Sequence, residues 1–104
     1  MKKTVNGKLY DTETAHRLCE LESTDYVSDF EWHETYLYYT KKGAFFIAGR
    51  GNAASIWAKP CGQSGWAAGA GLRVIDDREA REYMEAANCT VDEFASAGLD
   101  VVEG

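Results

Sequence analysis

Three cysteines, two histidines and one glycine-rich turn are the residues of this 104-residue chain whose types invite chemistry. A cysteine nucleophile acts as its thiolate. It needs a helix N-terminus or a cationic neighbour to lower its pKa, and a base within reach. Of Cys19, Cys61 and Cys89, Cys61 is best placed, because it follows Pro60 and precedes a glycine-rich run in the basic centre of the chain. Nothing in the spacing sets His16 or His33 beside it. A small enzyme using Cys61 and the glycine-rich loop is therefore the alternative reading of function and not the first. Zinc would have to draw on His16, Cys19, His33 and Cys61. The spacing His16-x-x-Cys19 is workable, but structural zinc sites come as two close pairs and the other two ligands stand alone. No metal or other cofactor is expected. Gly49-Arg50-Gly51-Asn52-Ala53-Ala54 spells the G-x-G-x-x-A of a dinucleotide turn. Such a turn must open a helix whose amides meet the pyrophosphate, with an acid about 20 residues on. Here a strand-like Ser55-Ile56-Trp57 follows and no acid occurs before Asp76, so the segment reads as a tight turn between strands.

Carboxylates carry a stronger pattern. Residues 20–34 hold six acids (Glu20, Glu22, Asp25, Asp29, Glu31, Glu34) and no base, whereas residues 41–73 hold five bases and no acid. Residues 76–104 hold nine acids against Arg78 and Arg81. The net charge of −6 is thus two acidic blocks around a basic centre. Such a field bears on association and on partner choice. An acidic face repels nucleic acid and attracts surfaces built to hold it. On a strand, residues i and i+2 lie about 6.6 Å apart on one face. Glu20/Glu22 and Asp29/Glu31 have that separation if their segments are extended, and Glu79, Glu82 and Glu85 follow one another at i+3 steps on a helix. Rows of carboxylates at such spacings can occupy arginine and lysine sites that otherwise take phosphates. The plainer reading is a set of solvated faces that keep the protein soluble. With 17 acids in the chain some close pair is inevitable, so paired acids carry no glycosidase signal. Tyr36, Tyr38, Lys41, Lys42, Phe45, Arg50, Trp57, Lys59 and Trp66 interleave bases with rings, as in a single-strand platform. The overall acidity argues against direct nucleic-acid binding, and these rings are more simply core.

The elements that position these groups follow from turn and cap signals. Asn6-Gly7 between Lys2–Val5 and Lys8–Tyr10 predicts a type I′ hairpin, since both central residues need positive φ. Residues 11–22 fit a helix through Ala15, Leu18, Cys19 and Glu22, or a strand through Ala15, Arg17, Cys19 and Leu21. The strand is the favoured reading of this short stretch. Residues 30–50 form the clearest hairpin, with Lys41-Lys42-Gly43 as its turn. Trp32, Tyr36 and Tyr38 lie on one face, with His33, Thr35, Leu37 and Tyr39 on the other, so both faces are partly covered. Residues 55–60 read as a third strand, 61–71 as a glycine-rich loop, and 72–75 as a short strand. Asp76 caps an amphipathic helix whose Ala80, Tyr83, Met84 and Ala87 form a core stripe, with Asn88 as its C-cap. Thr90 and Glu93 open a short last helix with Phe94 inward and Gly98 at its end. Strands followed by helices predict an α+β fold: a small antiparallel sheet of hairpins with one C-terminal amphipathic helix and a short final helix, as one domain over residues 1–104. No apolar run approaches the ~20 residues of a membrane span. Met1-Lys2-Lys3 has no apolar stretch behind it, so no signal peptide is read, and a cytoplasmic protein is expected.

Asn6-Gly7-Lys8-Leu9-Tyr10-Asp11-Thr12-Glu13-Thr14-Ala15 resembles the start of a family of short, uncharacterised proteins carried by phages and mobile elements of bacteria. The resemblance continues through Asp29–Trp32, Glu34–Tyr38, Lys41–Ile47 and the helical Asp77–Tyr83. In related sequences the stretch at Gly49-Arg50-Gly51 tends to read Gly-Glu-Gly-Gly, a charge that Arg50 reverses. The resemblance supplies no catalytic residues. Its genetic setting implies small proteins that disarm host defence, and acidic anti-CRISPR proteins are similar in size and charge. The first reading of function is accordingly a non-enzymatic inhibitor acting in the host bacterial cytoplasm. It would bind a protein partner's basic nucleic-acid-binding surface, such as that of a CRISPR effector, through Glu20, Glu22, Asp29, Glu31, Glu79, Glu82 and Glu85. A third reading is a structural or accessory protein of a mobile element.

Overall fold

The computed structural model describes residues 1–104. Eight strands and two helices follow one another in the order β1 (Lys2–Val5), β2 (Lys8–Asp11), β3 (His16–Glu20), β4 (His33–Tyr39), β5 (Phe45–Gly51), β6 (Lys59–Cys61), β7 (Gly65–Ala67), β8 (Gly69–Ile75), α1 (Asp77–Ala86) and α2 (Val91–Ser96). The fold is α+β, as the order of signals predicts. Its centre is a four-stranded antiparallel sheet, β3-β4-β5-β8, and each of β1-β2 and β6-β7 forms a separate two-stranded ribbon.

Alternation in β4 and β5 explains the layers. Leu37, Phe45 and Ile47 project to one face, where they meet Ala80 and Met84 of α1, Phe94 of α2, and Leu99. Tyr38, Phe46 and Ala48 project to the other, where Tyr10 of the first hairpin covers them with Leu72. The Tyr38 and Phe46 rings stack at 4.9 Å, and Tyr10 meets Phe46 edge-on at 5.8 Å. The helix-covered core holds eleven buried residues against five beneath the hairpin. At roughly 1.5–3 kcal/mol for each large apolar side chain buried, the helical side dominates stability. Residues 16–20 are a strand and not a helix, with a register shift between Arg17 and Cys19 where they pair with β4.

The turn and N-cap readings hold, while the C-cap of α1 is Ala87, one residue before the expected Asn88. Asn6 and Gly7 have φ of 51° and 77°, as a type I′ turn requires. The Asp76 carboxylate accepts from the Glu79 amide. Asn88 at φ 55° ends α1, while the Cys89 amide donates to the Met84 carbonyl and the Asn88 amide to that of Glu85. This is the Schellman arrangement, in which a left-handed residue satisfies the last carbonyls. Thr90 and Glu93 complete a reciprocal capping box on α2.

Two expectations fail between residues 52 and 71. No strand spans 55–60. The Ser55 hydroxyl donates to the Asn52 carbonyl and accepts from the Trp57 amide, so the chain turns there and drops Trp57 into the core. Serine bonding of this kind diverts the backbone from a ladder. The glycine-rich stretch is strand and not loop: β6 and β7 pair across it, and Gly69 and Gly71 belong to β8, opposite Gly51 and Gly49 of β5. These glycines make room. A Cβ on Gly71 would lie 3.0 Å from the Trp57 ring, and one on Gly69 would collide with the Trp57 carbonyl. Likewise Gly49 and Gly51 lie within β5, where a side chain on Gly49 would strike the Glu34 backbone, so the G-x-G-x-x-A segment opens no helix.

Candidate partner-binding surface

Sorting of charge along the sequence becomes sorting along the sheet. Strand β4 runs seven residues, about 20 Å, between two unlike ends. At its C-terminal end lie Lys41 and Lys42, which with Lys8 rim a cleft of about 470 Å³ over Leu9, Tyr10, Ala15 and Ala44. At its N-terminal end the chain enters from residues 20–32, with all their acids. The two ion pairs of the molecule, Glu34–Arg50 and Glu82–Arg78, are both long at 3.5 Å and exposed. Every other carboxylate lacks an ion-pair partner.

Residue by residue, the expected rows fare differently. Glu20 closes β3, and Leu21 continues its pairing by donating its amide to the Thr35 carbonyl. Leu21 is buried while Glu20 and Glu22 are exposed on either side of it, Glu20 as the last residue of β3 and Glu22 just beyond the strand. The Asp29/Glu31 row does not exist as a strand. The Asp29 amide donates to the Tyr26 carbonyl and the Trp32 amide to that of Asp29, which makes residues 26–32 a pair of turns. Strand β4 begins only at His33, later than the aromatic run starting at Phe30 implies. Polar backbone bonds to Asn52 and Ala54 hold this segment off the sheet and override its β propensity. Asp29 and Glu31 still lie at the same end of the sheet as Glu20 and Glu22. On α1, Glu79, Glu82 and Glu85 are all exposed, and the stripe opposite them buries Ala80 and Met84 but only half-buries Tyr83 and Ala87. Helix α1 starts at the lysine end, directly after Ile75, which pairs with Phe45, and runs back along the sheet. Its Tyr83 and Ala86 share a shallow depression with Leu21, Glu22, His33 and Ile56. The C-terminal turn of α1 therefore sits at the acidic end of the molecule.

A relay of polar groups anchors that end to the core. The Trp57 indole N–H donates to Thr35 Oγ1 at 2.7 Å, and Thr35 Oγ1 lies 2.8 Å from His33 Nδ1. Burial lowers the His33 pKa from its ordinary value, partly offset by a hydrogen bond to the Glu22 backbone and by the Glu20 charge. The His33 amide donates to Ser23 Oγ at 2.8 Å, which fixes the start of the acidic loop. On the neighbouring face, burial and then the carboxylates of Glu20 and Glu34 push the Tyr36 phenol up, while Arg17, 4.4 Å above its ring, opposes them.

The reactive side chains lie in separate places. Cys61 is exposed on the β6–β7 ribbon. The His33 ring is committed to Thr35, and His16 lies at the lysine end beside Tyr39 and Lys41. Burial foremost, with Cys89 nearby, pushes the Cys19 thiol up to about 12, the reverse of what a nucleophile needs. No three His, Cys, Asp or Glu side chains converge as a metal site would require. No helix is long and apolar enough to cross a membrane. What sequence reasoning missed is the apolar side of the acidic loop: Tyr26, Val27 and Phe30 are exposed. Their signal was present, since three large apolar residues interleave with Asp25, Asp29 and Glu31. The chain matches no family model, no curated protein and no solved structure.

Proposed function

We propose that this chain is a non-enzymatic inhibitor that binds a basic, nucleic-acid-binding surface on a bacterial defence complex, a CRISPR effector in the first instance. Glu20, Glu22, Asp29 and Glu31 form the principal contact, and Glu79, Glu82 and Glu85 of α1 flank it. One observation carries the reading. The six carboxylates of residues 20–34 gather at one end of the sheet, and only Glu34 of them has an ion-pair partner. Carboxylates so arranged present to Arg and Lys what a phosphate backbone presents, and pair with guanidinium groups in a bidentate geometry. Attraction of this kind speeds association and fades with salt. The resemblance in residues 6–15 to phage and mobile-element proteins supplies the setting.

The test measures affinity for purified candidate effector complexes at about 50 and 200 mM salt, on the logic of screening. Wild type, Glu20→Lys/Glu22→Lys and Glu79→Lys/Glu82→Lys/Glu85→Lys are compared. Wild-type binding should weaken steeply with salt, and each reversal should remain folded and bind less, because like charges at an interface repel. Equal affinity for all three proteins at both salt concentrations would leave the acids as a solvated face and refute the proposal.

A further inference from the structure

Residues 23–32 leave the sheet as a loop and return to it at His33. Tyr26, Val27 and Phe30 on this loop are 70%, 65% and 76% exposed, and Ile56 on the adjoining turn is 49% exposed. Large apolar side chains grouped on one exposed loop, rimmed by polar residues, mark an interaction site. Here they are not a floppy excursion. The Asn52 amide group donates to the carbonyls of both Val27 and Asp29 at 2.7 Å. The Asn52 and Ala54 backbone amides donate to Trp32 and Phe30. The Ser23 hydroxyl accepts from His33. The loop is therefore fixed before any partner arrives, and a fixed loop loses less entropy on binding. Asp25, Asp29 and Glu31 alternate with the apolar residues. An apolar centre within a charged rim is the anatomy of a protein interface, and buried aromatic anchors dominate the energy of such interfaces.

We infer that residues 23–32 are an apolar anchor for a protein segment whose own apolar residues are flanked by lysine or arginine, such as a basic amphipathic helix. The sign of the rim decides the occupant. An acidic frame around Tyr26, Val27 and Phe30 rejects acidic or neutral amphipathic segments and accepts basic ones. The inference rests on the proposed binding of a basic partner and deepens it. Carboxylates alone give steering and salt dependence, whereas burying Phe30 and Tyr26 supplies residence time and selects among basic surfaces.

Two synthetic peptides of equal positive charge test it, one a leucine–lysine amphipathic helix and the other an oligolysine. Titrations use wild type, Tyr26→Ser/Phe30→Ser and Glu20→Lys/Glu22→Lys. Both serine positions are exposed, and Phe30 engages Ala54 through its backbone, so the double variant keeps the fold; unchanged near-ultraviolet circular dichroism establishes this. Wild type should bind the amphipathic peptide at least about tenfold more tightly than oligolysine, as anchor residues of this kind command. The serine variant should lose that margin while its oligolysine affinity stays unchanged. The lysine variant should weaken with both peptides. Equal affinity of wild type for the two peptides, insensitive to the serine changes, overturns the anchor and leaves the acidic surface standing. Failure of either peptide to bind at low salt overturns both. A wild-type dimer in sedimentation that the serine changes convert to monomer overturns the assignment of occupant and makes it a second copy of this chain.

Discussion

Replacing Thr35 by Val changes almost no volume and removes one acceptor from the centre of the protein. Thr35 is the one buried polar residue in the molecule, with no exposed surface. Its Oγ1 accepts from the Trp57 indole at 2.7 Å and bonds to His33 Nδ1 at 2.8 Å. The indole donor is enclosed, so the Val variant leaves it without a partner, at a cost of about 1–3 kcal/mol. His33 is only half-buried, and water can replace its lost bond at little cost. A net loss near 2 kcal/mol lowers the melting temperature of a domain of this size by roughly 8–16 °C. Thermal melts at pH 7 measure it. Changing Trp57 to Phe in the same background removes the stranded donor, so the double variant should lose less than the sum of the singles, by about 1 kcal/mol. The same melts carry a pH signature. Burial holds the folded pKa of His33 below 6.5, so the unfolded chain takes up the proton first as pH falls. Stability is full above pH 6.5 and declines below it, through the window that ends at the lowered folded value. Additive single losses, or a Val variant melting within about 2 °C of wild type, would show that the relay contributes nothing and that apolar packing alone seats Trp57.

Two further outcomes are expected. Phe94→Ala should cost roughly 3–5 kcal/mol in urea unfolding, because the ring fills the helix-covered core and also closes the α2 cap against Leu99; a loss below about 1 kcal/mol would place the ring outside that core. With a thiol reagent at neutral pH, Cys61 should react fastest and Cys19 and Cys89 more slowly, since both are half-buried and burial raises the pKa of each; three equally fast thiols would contradict this.

What could be read from the sequence was what local chemistry dictates. Asn6-Gly7, Asp76 with Glu79, and Thr90 with Glu93 act within four residues, and each does in the structure what its type requires. Period-two patterning in residues 33–39 fixed which side chains face the helices and which face the hairpin, because the pleat leaves no alternative. Residues 52–71 were misread because their conformation is set at long range. Trp57 looks like a strand residue until Thr35, 22 positions away, offers its indole a partner. Gly71 looks like a loop residue until the same ring needs space above β8, and Gly69 until the Trp57 carbonyl does. Asp29 and Glu31 follow an aromatic-rich pattern, yet Asn52, 23 positions on, holds the Asp29 carbonyl and bends the segment into turns. In each case a distant hydrogen bond or a bulky ring outweighed propensity.

Acidic positions that the fold itself does not favour are where function is best sought. A helix C-terminus carries partial negative charge and is stabilised by bases, but the last turn of α1 contains none and holds Glu85. Arg78 precedes Glu82 by four residues, the weaker order for such a pair, and their contact is long at 3.5 Å. Around residues 20–34 six carboxylates repel one another with Arg50 as their one ion-pair partner. A sequence shaped for stability alone would carry Lys at several of these sites, each gaining about a few tenths of a kcal/mol. Local choices that work against the fold, at Glu85 and through residues 20–34, are what the proposed binding surface would require. The charge reversals at Glu79, Glu82 and Glu85 thus have a double reading. At Glu85, which the dipole disfavours, reversal should leave the protein at least as stable as before; at Glu79, in the first turn, it gives up a favourable dipole contact and at Glu82 the pair with Arg78, while all three should weaken the hold on a basic partner.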